Sequence, residues 1–254
     1  MPEQEYIARE AMSNRIWVYT LRDHKGHAIV EVNSRHLLID TGSPLSIARP
    51  GITLAGQPIP ANEPRGCLSL GCLGTYIGLE IDAIVGMDLL SGLDMRIDTF
   101  ENRLELTRGR FVTGEASADV RALRGLPVVP AHFKLQGPNP LVLDTGAPVS
   151  YLRPELLDGL TSQGEYTDFH PSYGEFTTPV YRRSFTINNR KFVLLFGLLP
   201  KVLEETLLPE SIDGIIGSEI LGVCKAVLSM RRGKLQFVTH RDGDIMRGPA
   251  RHMH

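Results

Sequence analysis

The sequence lacks long hydrophobic runs. The longest apolar stretch, residues 192–199, is much shorter than the ~20 residues that a membrane-spanning helix needs. The first thirty residues show no apolar run behind a basic start, so no secretory signal is expected. The net charge of -2 argues against a nucleic-acid-binding protein, since such affinity comes largely from basic side chains on phosphates. We therefore expect a cytoplasmic protein that binds neither membranes nor nucleic acid.

Cysteine is also scarce. The chain has three cysteines, and an odd number without an export signal predicts reduced thiols. Cys67 and Cys72 are close enough in sequence to pair, and the sequence leaves that alternative open. His24, His27 and His36 lack the spacing and the companions of a metal site. We interpret them as surface histidines and expect no metal and no organic cofactor.

The main positive signal is an internal repeat, which has to be found before any motif is interpreted. LLIDTGSPLS at residues 37–46 aligns without a gap on LVLDTGAPVS at residues 141–150. A longer block beginning at Ile81 (IDAIVGMDLL) aligns on one beginning at Ile212 (IDGIIGSEIL). The order of the two blocks is the same in both halves, which indicates an internal duplication.

The two halves differ in length between their blocks. Asp40 and Asp144 are 104 residues apart, whereas the glycines of the second block, Gly86 and Gly217, are 131 residues apart. The second half therefore carries 27 extra residues. This insertion is long enough to form an additional hairpin that the first half has no room for.

Short apolar or alternating segments separated by glycine, proline and asparagine predict a mainly β fold with a few short helices. Strands are expected at residues 15–21, 28–32, 37–39, 128–135, 185–187, 191–196 and 234–239, and helical turns at residues 87–90, 154–160, 201–207 and 218–221.

Polar, glycine-containing sequence over residues 107–125 indicates a boundary between two lobes. The predicted organisation is an N-terminal extension (1–14), an N-terminal lobe (15–110), a linker (111–125), a C-terminal lobe (126–240) and a flexible tail (241–254). Whether the N-terminal extension acts as a removable pro-segment is left open.

A duplicated Asp-Thr-Gly motif has a specific chemical meaning when each copy follows an apolar strand. Asp40 and Asp144 would both leave a strand end and enter a tight turn that glycine permits. If the halves pack about a pseudo-twofold axis, the two carboxyls meet there and cannot both ionise easily. One carboxyl would then act as a base toward water while the other acts as an acid, without a metal.

These paired motifs resemble the signatures of clan AA aspartic peptidases, over residues 15–106 and 126–240 approximately. The resemblance implies a two-lobed, pseudo-twofold aspartic protease fold. The glycine block is similar to that of retropepsins, whereas the presence of both halves in one chain is similar to pepsins and implies a monomer. The implied activity is that of an aspartic endopeptidase acting on a protein or peptide bound in an extended conformation.

The resemblance also assigns roles to individual residues. Asp40 and Asp144 would be the catalytic pair, supported in their turns by the residues that follow them. Gly86 and Gly217 would be structural and pack behind the pair. The supporting residues are Thr41, Gly42 and Ser43 in the first half and Thr145, Gly146 and Ala147 in the second, with the two threonines interlocking by hydrogen bonds.

Two asymmetries generate further hypotheses. The extra residues of the second half predict a flap with its tip at residues 171–174, in which Tyr173 and Gly174 are the candidates for substrate contact. An ordinary surface hairpin is the alternative. Ser43 aligns with Ala147 in the repeat. The Ser43 hydroxyl is expected to hydrogen-bond the adjacent carboxylate and to lower the pKa of that carboxylate. A pH optimum nearer mildly acidic or neutral values would follow.

The main alternative function keeps the fold without turnover. In that case the chain is a catalytically inactive, retropepsin-like module for peptide binding or assembly, and Asp40 and Asp144 only cap turns. Asp82 and Asp213, which recur before each glycine block, are interpreted as turn or strand-edge residues. The sequence does not identify the substrate or its cleavage specificity.

Overall fold

A computed structural model describes residues 15–61, 69–111, 117–133, 137–209, 211–238 and 246–247. The predicted N-terminal extension, Cys67 and most of the predicted tail lie outside these residues. The fold is mostly β, as the sequence predicts. Within the described residues, no helix is long and apolar enough to cross a membrane.

Short strands and shorter helices alternate along the chain. The strands of the first half are β1 (Ile16–His24), β2 (His27–Val32), β3 (Arg35–Ile39), β4 (Ile47–Ala48), β5 (Thr53–Leu54), β6 (Gln57–Pro58), β7 (Ala83–Val85), β8 (Asp94–Asp98) and β9 (Arg103–Thr107). Those that follow are β10 (Ala118–Asp119), β11 (Arg121–Leu123), β12 (Leu126–Ala131), β13 (Asn139–Leu143), β14 (Ser150–Leu152), β15 (Ser162–His170), β16 (Gly174–Ile187), β17 (Arg190–Gly197), β18 (Gly214–Ile216), β19 (Lys225–Ser229), β20 (Lys234–Val238) and β21 (Met246–Arg247). The helices are α1 (Leu70–Ile77), α2 (Met87–Leu90) and α3 (Lys201–Leu207), with 3-10 turns at Pro154–Leu156, Ser218–Gly222 and Met230–Arg232.

The two halves share one connectivity around their Asp-Thr-Gly turns. In the first half β3 pairs in parallel with β7, and β7 pairs antiparallel with β4. In the second half β13 pairs in parallel with β18, and β18 pairs antiparallel with β14. Each Asp-Thr-Gly turn thus leaves a strand whose parallel neighbour carries the Ile/Val-Gly block. The architecture is the two-lobed, pseudo-twofold fold that the sequence predicts.

A shared sheet joins the halves. Its order runs β10-β20-β19-β8-β9-β1, so strands from the end of the second half lie against β8 of the first half. A single apolar core of buried residues, including Leu21, Ile97, Leu228 and Phe237, spans both halves. Burial of this shared core favours one fixed arrangement of the halves.

Helix α1 is a feature that the sequence analysis did not predict. Ser69 caps its first turn by accepting a hydrogen bond from the Cys72 amide, and Gly78 ends it with φ 74°. Leu70, Leu73 and Ile77 are buried along one face. Their spacing is that of an amphipathic helix, so packing of this face holds the helix in place.

Four other helical segments of the described residues lie where they were predicted, whereas the 3-10 turn at Met230–Arg232 was not predicted. Helix α2 and helix α3 have the predicted bounds, and the turn at Ser218–Gly222 is one residue longer than predicted. The turn at Pro154–Leu156 covers only the start of the predicted segment, 154–160. Strand β16, with 14 residues, is much longer than the three-residue strand predicted within it.

The predicted linker and tail contain regular structure in part. Strands β10 and β11 lie within residues 111–125, and β10 pairs with β20 in the shared sheet. In the predicted flexible tail, β21 pairs in parallel with β17. The linker and the flexible tail were predicted from the polar sequence of these residues. Edge strands this short contain few apolar residues, so a polar sequence does not distinguish them from loops. The lobe boundaries themselves stay a prediction.

Asp94 anchors the shared sheet from the end of β8. Its side chain is 0 % exposed and accepts hydrogen bonds from the Ser229 hydroxyl at 2.6 Å and the Phe111 amide at 3.0 Å. Two guanidinium groups, of Arg231 at 3.1 Å and Arg232 at 2.5 Å, compensate its charge. Both arginines come from the second half, so this buried carboxylate ties the halves together.

We expect Asp94→Asn to destabilise the chain by about 1–3 kcal/mol, because the buried carboxylate loses its charge-assisted hydrogen bonds to two partly exposed guanidinium groups. Urea unfolding measures the change. The matched control is Asp119→Asn in the same sheet, which removes an ion pair to Lys234 from a carboxylate that is 85 % exposed and should cost less than about 0.5 kcal/mol. Equal stabilities of the two variants would contradict the anchoring role.

Candidate active site

The two aspartates occupy equivalent places at the ends of parallel strands. Asp40 directly follows β3, and its amide donates to the Val85 carbonyl at 3.0 Å. Asp144 directly follows β13, and its amide donates to the Ile216 carbonyl at 2.9 Å. Each backbone is therefore fixed by the neighbouring strand up to the aspartate itself, and the chain turns immediately afterwards.

Two buried threonines lock the turns to each other. The Thr41 amide donates to the Thr145 hydroxyl, and the Thr145 amide donates to the Thr41 hydroxyl, each at 3.0 Å. Each hydroxyl then donates, at 2.7 Å, to a strand carbonyl of the opposite half, Leu143 or Ile39. The arrangement is reciprocal, and every hydroxyl both accepts and donates across the interface between the halves.

The glycine after each threonine lets the halves approach closely. A Cβ atom added to Gly146 would lie 2.5 Å from the carboxyl carbon of Asp40. A Cβ atom added to Gly42 would overlap the carboxyl group of Asp144. Any larger residue would push the two turns apart. Glycine at these positions thus places Asp40 and Asp144 in hydrogen-bonding contact with each other.

Backbone amides hold each carboxyl in the same orientation. Asp40 Oδ1 accepts from the amides of Gly42 at 2.9 Å and Ser43 at 3.0 Å. Asp144 Oδ1 accepts from the amides of Gly146 at 2.8 Å and Ala147 at 3.1 Å. With their carboxyls held in this way, both aspartates line the cleft between the halves.

Electrostatics favours one shared proton over two negative charges. Desolvation raises the pKa of Asp40 well above its ordinary value, and the charge of Asp144 raises it further. Desolvation also raises the pKa of Asp144, but amide donors and the hydrogen bond from Asp40 oppose that rise. The pair is therefore expected to hold one shared proton at a pH where an ordinary aspartate is ionised.

The Ser43 hydroxyl does not act as predicted. It donates to the Leu45 carbonyl at 2.8 Å and not to the carboxylate of Asp40. The backbone amides of Ser43 and Ala147 donate to Asp40 and Asp144 in the same way. The Ser43 hydroxyl therefore adds no further donor to the carboxylate of Asp40. The predicted lowering of the pKa of Asp40 by this hydroxyl is wrong, and the pKa of Asp40 is raised.

The repeated serine two residues after the proline of each motif has a role that the sequence analysis missed. The Ser46 hydroxyl accepts from the Gly86 amide at 2.9 Å, and the Ser150 hydroxyl accepts from the Gly217 amide at 3.0 Å. Each serine thereby ties its Asp-Thr-Gly segment to the glycine block of the same half. The identical serine in both copies of the repeat was the available signal.

Gly86 and Gly217 pack closely behind the turns. A Cβ atom on Gly86 would lie 2.7 Å from the carbonyl carbon of Leu45, and one on Gly217 would lie 2.5 Å from the carbonyl oxygen of Val149. Neither position has space for a side chain. The geometry therefore gives these glycines the structural place that the repeat suggested.

A cleft of about 340 Å³ lies over the aspartates and is lined by both halves. Its floor carries Asp40 and Asp144, and apolar side chains flank it on both sides. Those from the first half include Leu38, Ile47 and Ile84, and those from the second half include Val142, Leu199 and Ile215. An apolar cleft with a few convergent polar groups is the usual form of a ligand site.

Strands β15 and β16 form a hairpin that reaches across this cleft to the first half. Phe169 stacks on Tyr76 of α1 with ring centroids 4.6 Å apart. The Tyr76 hydroxyl donates to Asp168 at 3.3 Å, and Tyr151 donates to the other oxygen of the same carboxylate. Burial raises the pKa of Asp168, an effect that the hydroxyl donors oppose. Asp168, Phe169 and Phe176 line the cleft with the aspartates.

The residues predicted to form the flap do form a hairpin with its tip at the predicted position, and contact of Tyr173 and Gly174 with substrate stays a prediction. Gly174 occupies the turn with φ 96°. Tyr173 is 47 % exposed and packs edge-on against Phe176, whereas Phe169, His170 and Pro171 line the cleft. Turn position alone had suggested Tyr173, whereas the consecutive residues just before it, from Asp168 to Pro171, are the ones that line the cleft.

His27 also departs from its interpretation as a surface histidine. It is 5 % exposed and lines the cleft. Its ring nitrogen Nδ1 lies 3.1 Å from the Gly146 carbonyl oxygen. Among the described residues, no cluster of three or more histidine, cysteine or acidic side chains is arranged to hold a metal ion.

Asp82 has a structural environment, as its sequence context suggested. Burial alone would raise its pKa, but hydrogen bonds from the Arg35 side chain and the His36 amide, with the charge of Arg49, lower the pKa instead. For Asp213, the carboxylate accepts from the Asn139 amide group at 2.9 Å. Neither aspartate lines the cleft.

We expect Asp40→Asn to stabilise the fold at neutral pH. A carboxyl whose pKa is raised by folding destabilises the folded chain once the pH exceeds its unfolded value of 3.8, because folding then opposes ionisation. The asparagine variant should melt at a higher temperature than the parent at about pH 7. The difference in melting temperature should shrink as the pH falls from about 7 toward 3.8, where the carboxyl is protonated in the folded chain.

Thermal unfolding across this pH range measures the effect. Asp158→Asn is the control, since Asp158 is exposed and solvent hydrates it in both the folded and the unfolded chain. A pH-independent difference for Asp40→Asn, or none at all, would contradict the shared-proton arrangement.

We further expect Tyr76→Ala to loosen the β15–β16 hairpin. The substitution removes one aromatic stack and one hydrogen bond, together about 1–2 kcal/mol, so amide exchange in the hairpin should accelerate about tenfold. Hydrogen exchange read by mass spectrometry measures it. Tyr173→Ala is the control because Tyr173 contacts its own hairpin and not α1, and comparable acceleration in both variants would rule out the cross-cleft attachment.

Comparison with known proteins gives limited additional information. No family model matches the sequence, and no curated protein matches it. Among solved structures, the fold is similar to that of an aspartic proteinase from Irpex lacteus, with a TM-score of 0.47 and 13 % sequence identity over 89 % of this chain and 97 % of that chain. At this level of similarity, the function has to be inferred from the geometry of the chain itself.

Proposed function

We propose that this chain is an aspartic-type endopeptidase that hydrolyses peptide bonds with water activated between Asp40 and Asp144. The observation that carries the proposal is the contact of these two carboxyls, one from each half, at the floor of a cleft between the halves. The proposal includes the family: the Asp-Thr-Gly motifs are similar to those of clan AA peptidases, and the glycine blocks are similar to those of retropepsins.

The chemistry follows from one proton being shared by Asp40 and Asp144. The ionised member of the pair takes a proton from a water molecule as the water oxygen attacks the scissile carbonyl carbon. The protonated member donates its proton to the carbonyl oxygen, so that the tetrahedral intermediate is a neutral diol. Collapse of the diol returns a proton to the member that donated it, and the other member transfers the proton from water to the departing amine.

The substrate in this proposal is a protein or peptide in an extended conformation. An extended segment presents backbone donors and acceptors that pair with strand edges, while alternate side chains enter pockets. The apolar walls of the cleft offer such pockets on both sides of the aspartates. Because both carboxyls come from one chain, a monomer is sufficient for activity.

The β15–β16 hairpin is the element that would close over the bound peptide. It already contributes Phe169 and Phe176 to the cleft and is attached to α1 through Tyr76. Closure of such an element excludes water and strengthens electrostatic interactions at the reacting bond. In this role, the hairpin formed by the extra residues of the second half would supply most of the surface that covers the bound peptide.

We expect Asp40→Asn and Asp144→Asn each to lower the rate of peptide hydrolysis at least about a thousandfold, because an amide can neither accept the proton from water nor complete the acid–base exchange. A peptide-library digest read by mass spectrometry measures the activity of the parent and of both variants. A statine-type peptide, whose hydroxyl mimics the tetrahedral diol, should inhibit the parent.

Asp158→Asn serves again as the control and should retain the parental rate. Hydrolysis that survives both active-site substitutions would remove the pair from the mechanism. Binding of extended peptides without hydrolysis by the parent would instead favour the peptide-binding or assembly module.

A further inference from the structure

His27 breaks the pseudo-twofold symmetry of the site. Strands β2 and β3 pair in the same register as β12 and β13. Leu38, two positions before Asp40, pairs with Ile29, and Val142, two positions before Asp144, pairs with Val128. Counting back two residues from Ile29 and Val128 gives His27 and Leu126. Each follows a glycine in the left-handed region, with φ of 89° and 87°. The two halves therefore place a histidine and a leucine at one equivalent position.

Both residues line the cleft, but only the histidine is able to hydrogen-bond. The Gly146 oxygen is a carbonyl acceptor, so the bond to His27 requires a hydrogen on Nδ1. This bond, 3.1 Å long, joins positions 119 residues apart and connects the start of β2 to the Asp-Thr-Gly turn of the other half. The bond is partly buried, so loss of the donor removes a hydrogen bond from a carbonyl that water reaches only in part.

The peptide group that His27 contacts, between Gly146 and Ala147, also bonds an aspartate. Its N–H, on Ala147, donates to Asp144 Oδ1 at 3.1 Å, and the Gly146 amide donates to the same oxygen at 2.8 Å. Gly146 also lies so close to the carboxyl of Asp40 that a side chain has no room there. A shift of this residue would move one carboxyl and open space beside the other. The turn before His27 is itself held, because the Ser218 hydroxyl donates to the Gly26 carbonyl.

We propose that His27 is a positioning residue that fixes the Gly146 turn and thereby sets the relative placement of the two carboxyls. The catalytic part of this inference rests on the proposed peptidase function. The first half thus supplies a polar clamp to the turn of the second half, and the second half, with Leu126, supplies none in return.

Two substitutions separate the hydrogen bond from the bulk of the side chain. His27→Leu introduces the residue that the second half places at the equivalent position and removes the donor. His27→Asn keeps a donor, since its amide nitrogen takes the place of Nδ1. We expect His27→Leu to lower kcat about tenfold with little change in KM, because misplaced reacting groups slow chemistry more than binding. His27→Asn should recover most of kcat.

His24→Leu is the matched control. Its ring nitrogen also lies within hydrogen-bonding distance of a backbone carbonyl, that of Ile77 at 3.2 Å, and it sits in the same hairpin. It has no contact with either Asp-Thr-Gly turn, so this variant should keep the parental kcat. His27→Met provides a second variant without a donor if His27→Leu does not fold.

A structural readout keeps this inference separable from the proposed function. The carbon-13 shift of the Gly146 carbonyl should change in His27→Leu and stay near the parental value in His27→Asn, whether or not the chain cleaves peptides. If the parent is inactive, the peptidase proposal fails, but the carbon-13 shifts still test whether His27 fixes the Gly146 turn. Unchanged shifts and unchanged kcat in His27→Leu, or an asparagine variant that behaves like the leucine variant, would overturn the positioning role.

Discussion

The reciprocal hydrogen bonding of Thr41 and Thr145 is the constraint on which the site depends. Each hydroxyl accepts from the opposite threonine amide and donates to the opposite strand. Neither half can satisfy these buried groups alone, so the pair forms only when the turns meet in one register. That register brings the glycines against the carboxyls of the opposite half and sets two like charges side by side. The shared sheet and its buried Asp94 hold the remainder of the interface in the same arrangement.

The site combines a symmetric scaffold with asymmetric additions. The parallel strand pairs, the threonines and the serines that bond the glycine blocks repeat in both halves. Within the described residues, His27 belongs to the first half and the long β15–β16 hairpin to the second, and the attachment of this hairpin to α1 joins the two halves. The shared proton does not need this asymmetry, because two like charges side by side oppose the second ionisation even between equivalent carboxyls. The burial that raises the pKa of both carboxyls opposes the stability of the fold at neutral pH.

The sequence predicted the elements whose signals are local or repeated. Helix α2 is predicted because the repeat fixes its place, and the meeting of the aspartates follows from the duplicated motif. Helix α1 was missed because Gly71, Gly74 and Thr75 are poor helix formers, and its apolar face becomes decisive only when packed. Burial of His27 was missed because its partner lies in the other half, and no local pattern carries that information. The inward side of the hairpin was likewise set by strand pairing rather than by its turn.

The central claim is that Asp40 and Asp144 hold one proton between them. A titration of carbon-13-labelled aspartate carboxyls by NMR, assigned with the two asparagine variants, tests it most directly. The account predicts that one member of the pair stays protonated at a pH well above the ordinary aspartate pKa and that replacing either aspartate changes the titration of the other. Two carboxyls that ionise independently, both near the ordinary aspartate value of 3.8, would contradict the account.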